Sequence, residues 1–75
     1  MRELLRNMDR MYKLYEDGEQ LVLSVVCGGI GMFEAKVVLT DGEKADYEEQ
    51  GESYLDDLAY DIGKDQSKYA DRMIN

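Results

Sequence analysis

Seventy-five residues, 44% of them apolar, make one small domain spanning residues 1–75. That is near the lower limit at which a single hydrophobic core folds unaided, yet apolar enough to exclude wholesale disorder. The net charge is −8, and the chain has no histidine, no proline and one cysteine. The lone Cys27 excludes an intrachain disulfide, and no apolar run approaches the roughly twenty residues needed to cross a bilayer. The start, Met-Arg-Glu-Leu-Leu-Arg, lacks the apolar centre of a signal peptide. The expectation is a cytoplasmic protein, in the host cytoplasm if phage-encoded.

In chain order, residues 3–16 place Leu4, Leu5, Met8, Met11, Tyr12 and Tyr15 at spacings of three and four. This predicts an amphipathic helix ending near Asp17-Gly18, with Arg2, Arg6, Arg10 and Lys13 on its opposite side. A β-branched run, Leu21 to Cys27, follows. From Met32 to Leu39 the pattern alternates, with Phe33, Ala35, Val37 and Leu39 on one face and Glu34 and Lys36 on the other. Two strands, about 20–27 and 32–39, therefore form an antiparallel β-hairpin through Gly28-Gly29-Ile30-Gly31.

Thr40 with Glu43 reads as a capping box. Beyond it, Tyr47, Gly51, Tyr54, Leu55, Leu58, Ala59 and Ile62 form a stripe at helical period in an acidic helical region, 41–62. Gly51 leaves two readings open: one helix packed closely there, or two helices broken there with Ser53 capping the second. Gly63 ends the region, and Tyr69, Met73 and Ile74 mark a short C-terminal helix. A two-stranded hairpin needs a cover, so the fold class is α+β, with helices packed on one sheet face.

Enzymatic chemistry finds little support. The missing histidine removes the commonest general base and metal ligand. Cys27 then reads as a small buried hydrophobe rather than a nucleophile. The Asp41–Asp46 segment does not match a calcium-binding loop, and carboxylates along one helix do not converge on an ion. No metal or other cofactor is expected. Gly28-Gly29-Ile30-Gly31 has the Gly-x-x-Gly form of a nucleic-acid clamp, but it has no flanking base and the chain repels polyanions, so a plain turn is preferred. The four N-terminal bases are weak for holding a membrane or nucleic acid, and a solvated face, or pairing with the acids of this chain or of a second copy, is the preferred reading.

The informative feature is where the acids lie. Ten acids against Lys44 and Lys64 in residues 41–65 supply the whole net charge, and the rest of the chain is neutral. Glu48/Glu52, Glu52/Asp56, Asp57/Asp61 and Asp61/Asp65 are like-charge pairs four apart, each costing a helix a few tenths of a kcal/mol. Carboxylates about 6 Å apart along such a stripe match the phosphate spacing of a nucleic-acid strand. Tyrosine, enriched at interfaces, supplies six of seven aromatics, and Tyr60 lies off the apolar stripe.

In size and charge the chain resembles small anti-CRISPR proteins and nuclease immunity proteins: short, acidic, cysteine-poor and without catalytic residues. That resemblance implies an inhibitor that docks on a nucleic-acid-handling protein. The expected partner-binding residues are Asp46, Glu48, Glu49, Glu52, Asp56, Asp57, Tyr60 and Asp61. The expected partner is a basic protein, with no direct nucleic-acid contact. The alternative is a small homodimerising module whose acids are merely solvated.

Overall fold

The computed structural model describes residues 1–27 and 33–74. The chain runs β1 (Arg2–Asn7), β2 (Tyr12–Asp17), β3 (Gln20–Cys27), β4 (Phe33–Val38), α1 (Asp41–Gln50), α2 (Glu52–Lys64), a 3-10 helix (Gln66–Arg72) and β5 (Met73–Ile74). The strands form one antiparallel sheet in sequential order. An α+β fold is what the alternating and helical patterns implied. No described helix is long and apolar enough to cross a membrane.

The expected N-terminal helix is instead the hairpin β1–β2. Only Leu5, Tyr12 and Tyr15 of its apolar stripe are even partly withdrawn from solvent, while Leu4, Met8 and Met11 are exposed. The stronger pattern is period two: Tyr12 and Leu14 point inward, opposite Val25 and Leu23 of β3. Pairing with an apolar central strand outweighs local helix preference. The turn between β1 and β2 holds Met11 at φ 59, its N–H donating to the Met8 carbonyl at 3.2 Å, while the Arg10 N–H donates to Asn7 Oδ1 at 3.1 Å. Gly18 at φ 63 opens the two-residue β2–β3 loop, where glycine accepts the positive φ such turns require. It turns a hairpin, not a helix end.

The expected hairpin of β3 and β4 is present, with Val22 opposite Val38 and Val25 opposite Ala35; its Gly28–Gly31 turn lies outside the described residues. The core sits between one sheet face and α2. Tyr12, Leu14, Leu23, Val25, Cys27, Ala35, Val37 and Leu39 meet Leu55, Leu58, Ala59, Ile62 and Tyr69. Cys27 is buried there. The C-terminal segment is a 3-10 helix rather than an α-helix, and it delivers Met73 and Ile74 to the sheet edge beside Val37 and Lys36. At the other edge, β1 carries a bulge between Glu3 and Leu5 and exposed charges, which discourage further strand pairing.

Candidate functional site

The acidic stretch divides at Gly51. Its φ of 73 and ψ of −149 end α1 and start α2; its N–H donates to the Tyr47 carbonyl at 2.7 Å, and its carbonyl accepts from Tyr54 N–H at 3.1 Å. A Cβ there would meet nothing within 4 Å. The glycine therefore serves backbone conformation, not close packing, and the reading of one long helix is ruled out. Ser53 does not cap α2; its hydroxyl donates to the Gln50 carbonyl at 3.1 Å. Gly63 does not end α2 either, which continues through Lys64 to a cap at Asp65. The proposed stripe Glu48–Glu52–Asp56 is interrupted, because Glu48 and Glu52 belong to different helices.

The helix α1 buries none of its residues. Its start is fixed by the capping box: Glu43 N–H donates to Thr40 Oγ1 at 3.1 Å, and Thr40 N–H donates to Glu43 Oε1 at 2.9 Å. The Arg72 guanidinium pairs with Glu43 and also donates to the Val38 carbonyl at 3.2 Å, tying α1, β4 and the 3-10 helix together. Burial alone would raise the Glu43 carboxyl, but Arg72 and Thr40 outweigh it and hold it below the usual range. Lys44 Nζ reaches the Glu19 carbonyl at 3.0 Å and Asp41 at 3.3 Å. With Tyr47 half-buried against the core, these contacts anchor α1. They leave Asp46, Glu48 and Glu49 exposed and without hydrogen bonds or ion pairs among the described residues.

The acids of α2 are used differently. The Tyr12 hydroxyl donates to Asp56 Oδ1 at 2.6 Å, and Asn7 Nδ2 donates to Glu52 Oε2 at 2.9 Å. Burial, then the Asp56 carboxylate, push the Tyr12 hydroxyl well above its ordinary pKa. Asp61 accepts from the Tyr69 hydroxyl and, at 2.9 Å, from Lys68 Nζ, which hold its carboxyl below the usual range. Three of the eight expected partner-binding residues, Glu52, Asp56 and Asp61, are thus joined to the fold. Asp57 is exposed and unpaired among the described residues, and Tyr60 is 69% exposed.

The structure adds acids that periodicity did not reveal. Glu16 and Glu19, from the β2–β3 turn region, line a groove of about 510 Å³ together with Asp41, Lys44 and Glu48. They come beside α1 because the β2–β3 loop is packed against that helix, a long-range placement that local sequence does not carry. Among the described residues no group of three or more acids or thiols could hold a metal ion. The candidate surface is therefore Asp46, Glu48 and Glu49 of α1, extended by Glu19 and by Glu16, which accepts from the Arg2 guanidinium at 2.7 Å. Asp57 and Tyr60 lie exposed on α2. No protein-family model, curated protein or solved structure matches the chain.

Proposed function

We propose that the protein is a non-enzymatic inhibitor that docks its acidic surface on a basic, nucleic-acid-binding cleft of a target protein. The observation that carries this reading is α1 itself: ten residues with five acids, none of them buried. Of those five, Asp46, Glu48 and Glu49 take no hydrogen bond or ion pair among the described residues. In a chain this short, a helix that contributes so little to the core and keeps its like charges together is better explained by a partner than by stability. Such a surface speeds association with a basic cleft and sets its register.

The test is displacement. Nucleic-acid-binding proteins from the source cell are loaded on DNA-cellulose and washed with the wild-type protein or with an Asp46→Lys, Glu48→Lys, Glu49→Lys variant. Release of a defined protein by the wild type and not by the variant is expected, with release weakening as salt rises. If the two proteins release the same material, or neither releases any, the reading fails.

A further inference from the structure

The sheet has a second face. Along β3, Val22, Ser24 and Val26 alternate with the core residues Leu23, Val25 and Cys27, so they belong to the side away from that core. The buried helical residues, Leu55, Leu58, Ala59, Ile62 and Tyr69, all join the core cluster on the first side. Across the second face runs one row of the ladder. Arg6 stands opposite Lys13, Lys13 opposite Ser24, Ser24 opposite Lys36, and Lys36 opposite Ile74. Directly opposed residues share a face, so three bases and a serine line up in a row that holds no acid. Like charges opposite one another destabilise a sheet, and a chain of net charge −8 has acids in surplus to relieve them.

Ser24 is the second oddity of the row. It is 2% exposed on the central strand, and its Oγ has no hydrogen-bond partner among the described residues. An unpaired buried hydroxyl is costly, and alanine would occupy the position without that penalty. Its two neighbours are also short of partners. Lys13, half-buried, takes no hydrogen bond or ion pair among the described residues. Lys36 Nζ lies 3.7 Å from Glu34 Oε1, too far for a hydrogen bond. Arg6 is engaged elsewhere, its guanidinium holding Glu3 at 3.1 Å. β2 and β4 lie about 10 Å apart across β3, a span that two four-carbon lysine stems bridge above the serine.

We propose that Lys13, Ser24 and Lys36 form a binding site for a phosphate group. Near neutral pH such a group carries about −1.5 to −2 charges and three strong acceptor oxygens. Two ammonium groups and one hydroxyl answer it with two positive charges and a donor for each oxygen. A carboxylate has one charge and two oxygens, and would leave one donor unused. The acids of α1 and α2 belong to helices on the other side of the sheet. Glu34 is the near competitor, because it draws on Lys36. This inference stands on the open sheet face and survives if the inhibitor reading fails.

The test is an amide-shift titration of the full, nitrogen-15-labelled chain, with ionic strength held constant by chloride. Inorganic phosphate, glycerol phosphate and acetate are added in parallel to about 50 mM at about pH 7.5. Saturable shifts centred on Lys13, Ser24 and Lys36 are expected with the phosphates and not with acetate. Tighter binding of glycerol phosphate marks an esterified ligand, and tighter binding of inorganic phosphate marks the free ion. Lys13→Gln and Lys36→Gln should each weaken binding by about fivefold or more, while Glu34→Gln should tighten it. Ser24→Ala should weaken binding yet leave the urea midpoint unchanged or higher, a combination that a serine kept for stability does not give. Shifts that stay linear to the end of the titration, scatter over the surface or appear equally with acetate overturn the inference. So does a folded Lys13→Gln or Ser24→Ala variant that binds phosphate as the wild type does. The wild-type titration decides the matter alone if a variant fails to fold.

Discussion

Two adjacent helices of nearly equal acidity do opposite things. α1 carries five acids and one lysine and buries no residue fully, with only Tyr47 half-buried against the core; α2 carries four acids and one lysine and buries Leu55, Leu58, Ala59 and Ile62. The acids of α2 are largely spoken for, with Glu52 and Asp56 bonded to the β1–β2 hairpin and Asp61 to the 3-10 helix. Those of α1, apart from Glu43 and Asp41, are not. Negative charge in this chain is therefore two materials: a hydrogen-bond framework on α2 and a free surface on α1. Composition cannot separate them, because the difference lies in which donors the rest of the fold brings alongside.

That comparison can be broken in several places. The largest effect belongs to the α2 core. Leu55→Ala should cost about 3 kcal/mol in urea denaturation, since Leu55 is wholly buried against the sheet. Next come two neighbouring aspartates with different fates. Asp56→Ala leaves the Tyr12 hydroxyl without its acceptor and should cost about 2 kcal/mol, whereas Asp57→Ala should move stability by less than about 0.5 kcal/mol. Equal costs would erase the distinction between framework and free acids. At the junction, Gly51→Ala places a side chain at φ 73 and should cost about 1–2 kcal/mol, although space is open.

The smallest effects are read against pH. Glu43 titrates below its ordinary value of 4.5 when folded, so the folded state binds its proton less tightly than the unfolded state. Its contribution is present above about pH 4.5 and is lost as pH falls through the folded value. Glu43→Gln should flatten that acid limb and lower stability at neutral pH by about 1 kcal/mol. Tyr12 and Tyr69 titrate above their ordinary 10.0, so their contribution is intact below pH 10 and is lost at higher pH. Tyr12→Phe should make the alkaline limb shallower.

The capping box at Thr40, the buried Cys27, the β3–β4 pairing and the α2 stripe were legible in the sequence because each is a local pattern or a single dominant period. The exposure of Tyr60 was legible for the same reason. The N-terminal hairpin was misread because Leu4, Met8 and Met11 fall at helical spacing although they face solvent. A corrective signal was present in Gly18, a glycine suited to the first position of a two-residue hairpin loop between the runs Tyr12/Leu14 and Leu21/Leu23. Which acids are free was not legible. Asn7 and Tyr12 meet Glu52 and Asp56 across more than forty residues of chain, and Glu16 and Glu19 reach α1 only through strand pairing.

The separation of the two helices is tested most directly by charge reversal on each, compared by urea midpoint in the same buffer. Acids that are free on α1 predict that Asp46→Lys, Glu48→Lys, Glu49→Lys together leave stability within about 0.5 kcal/mol of the wild type. Acids that brace α2 predict that Asp56→Lys with Asp61→Lys lowers the urea midpoint well below that of the α1 variant or unfolds the chain. A triple α1 variant as damaged as the α2 pair would contradict the division of labour between them.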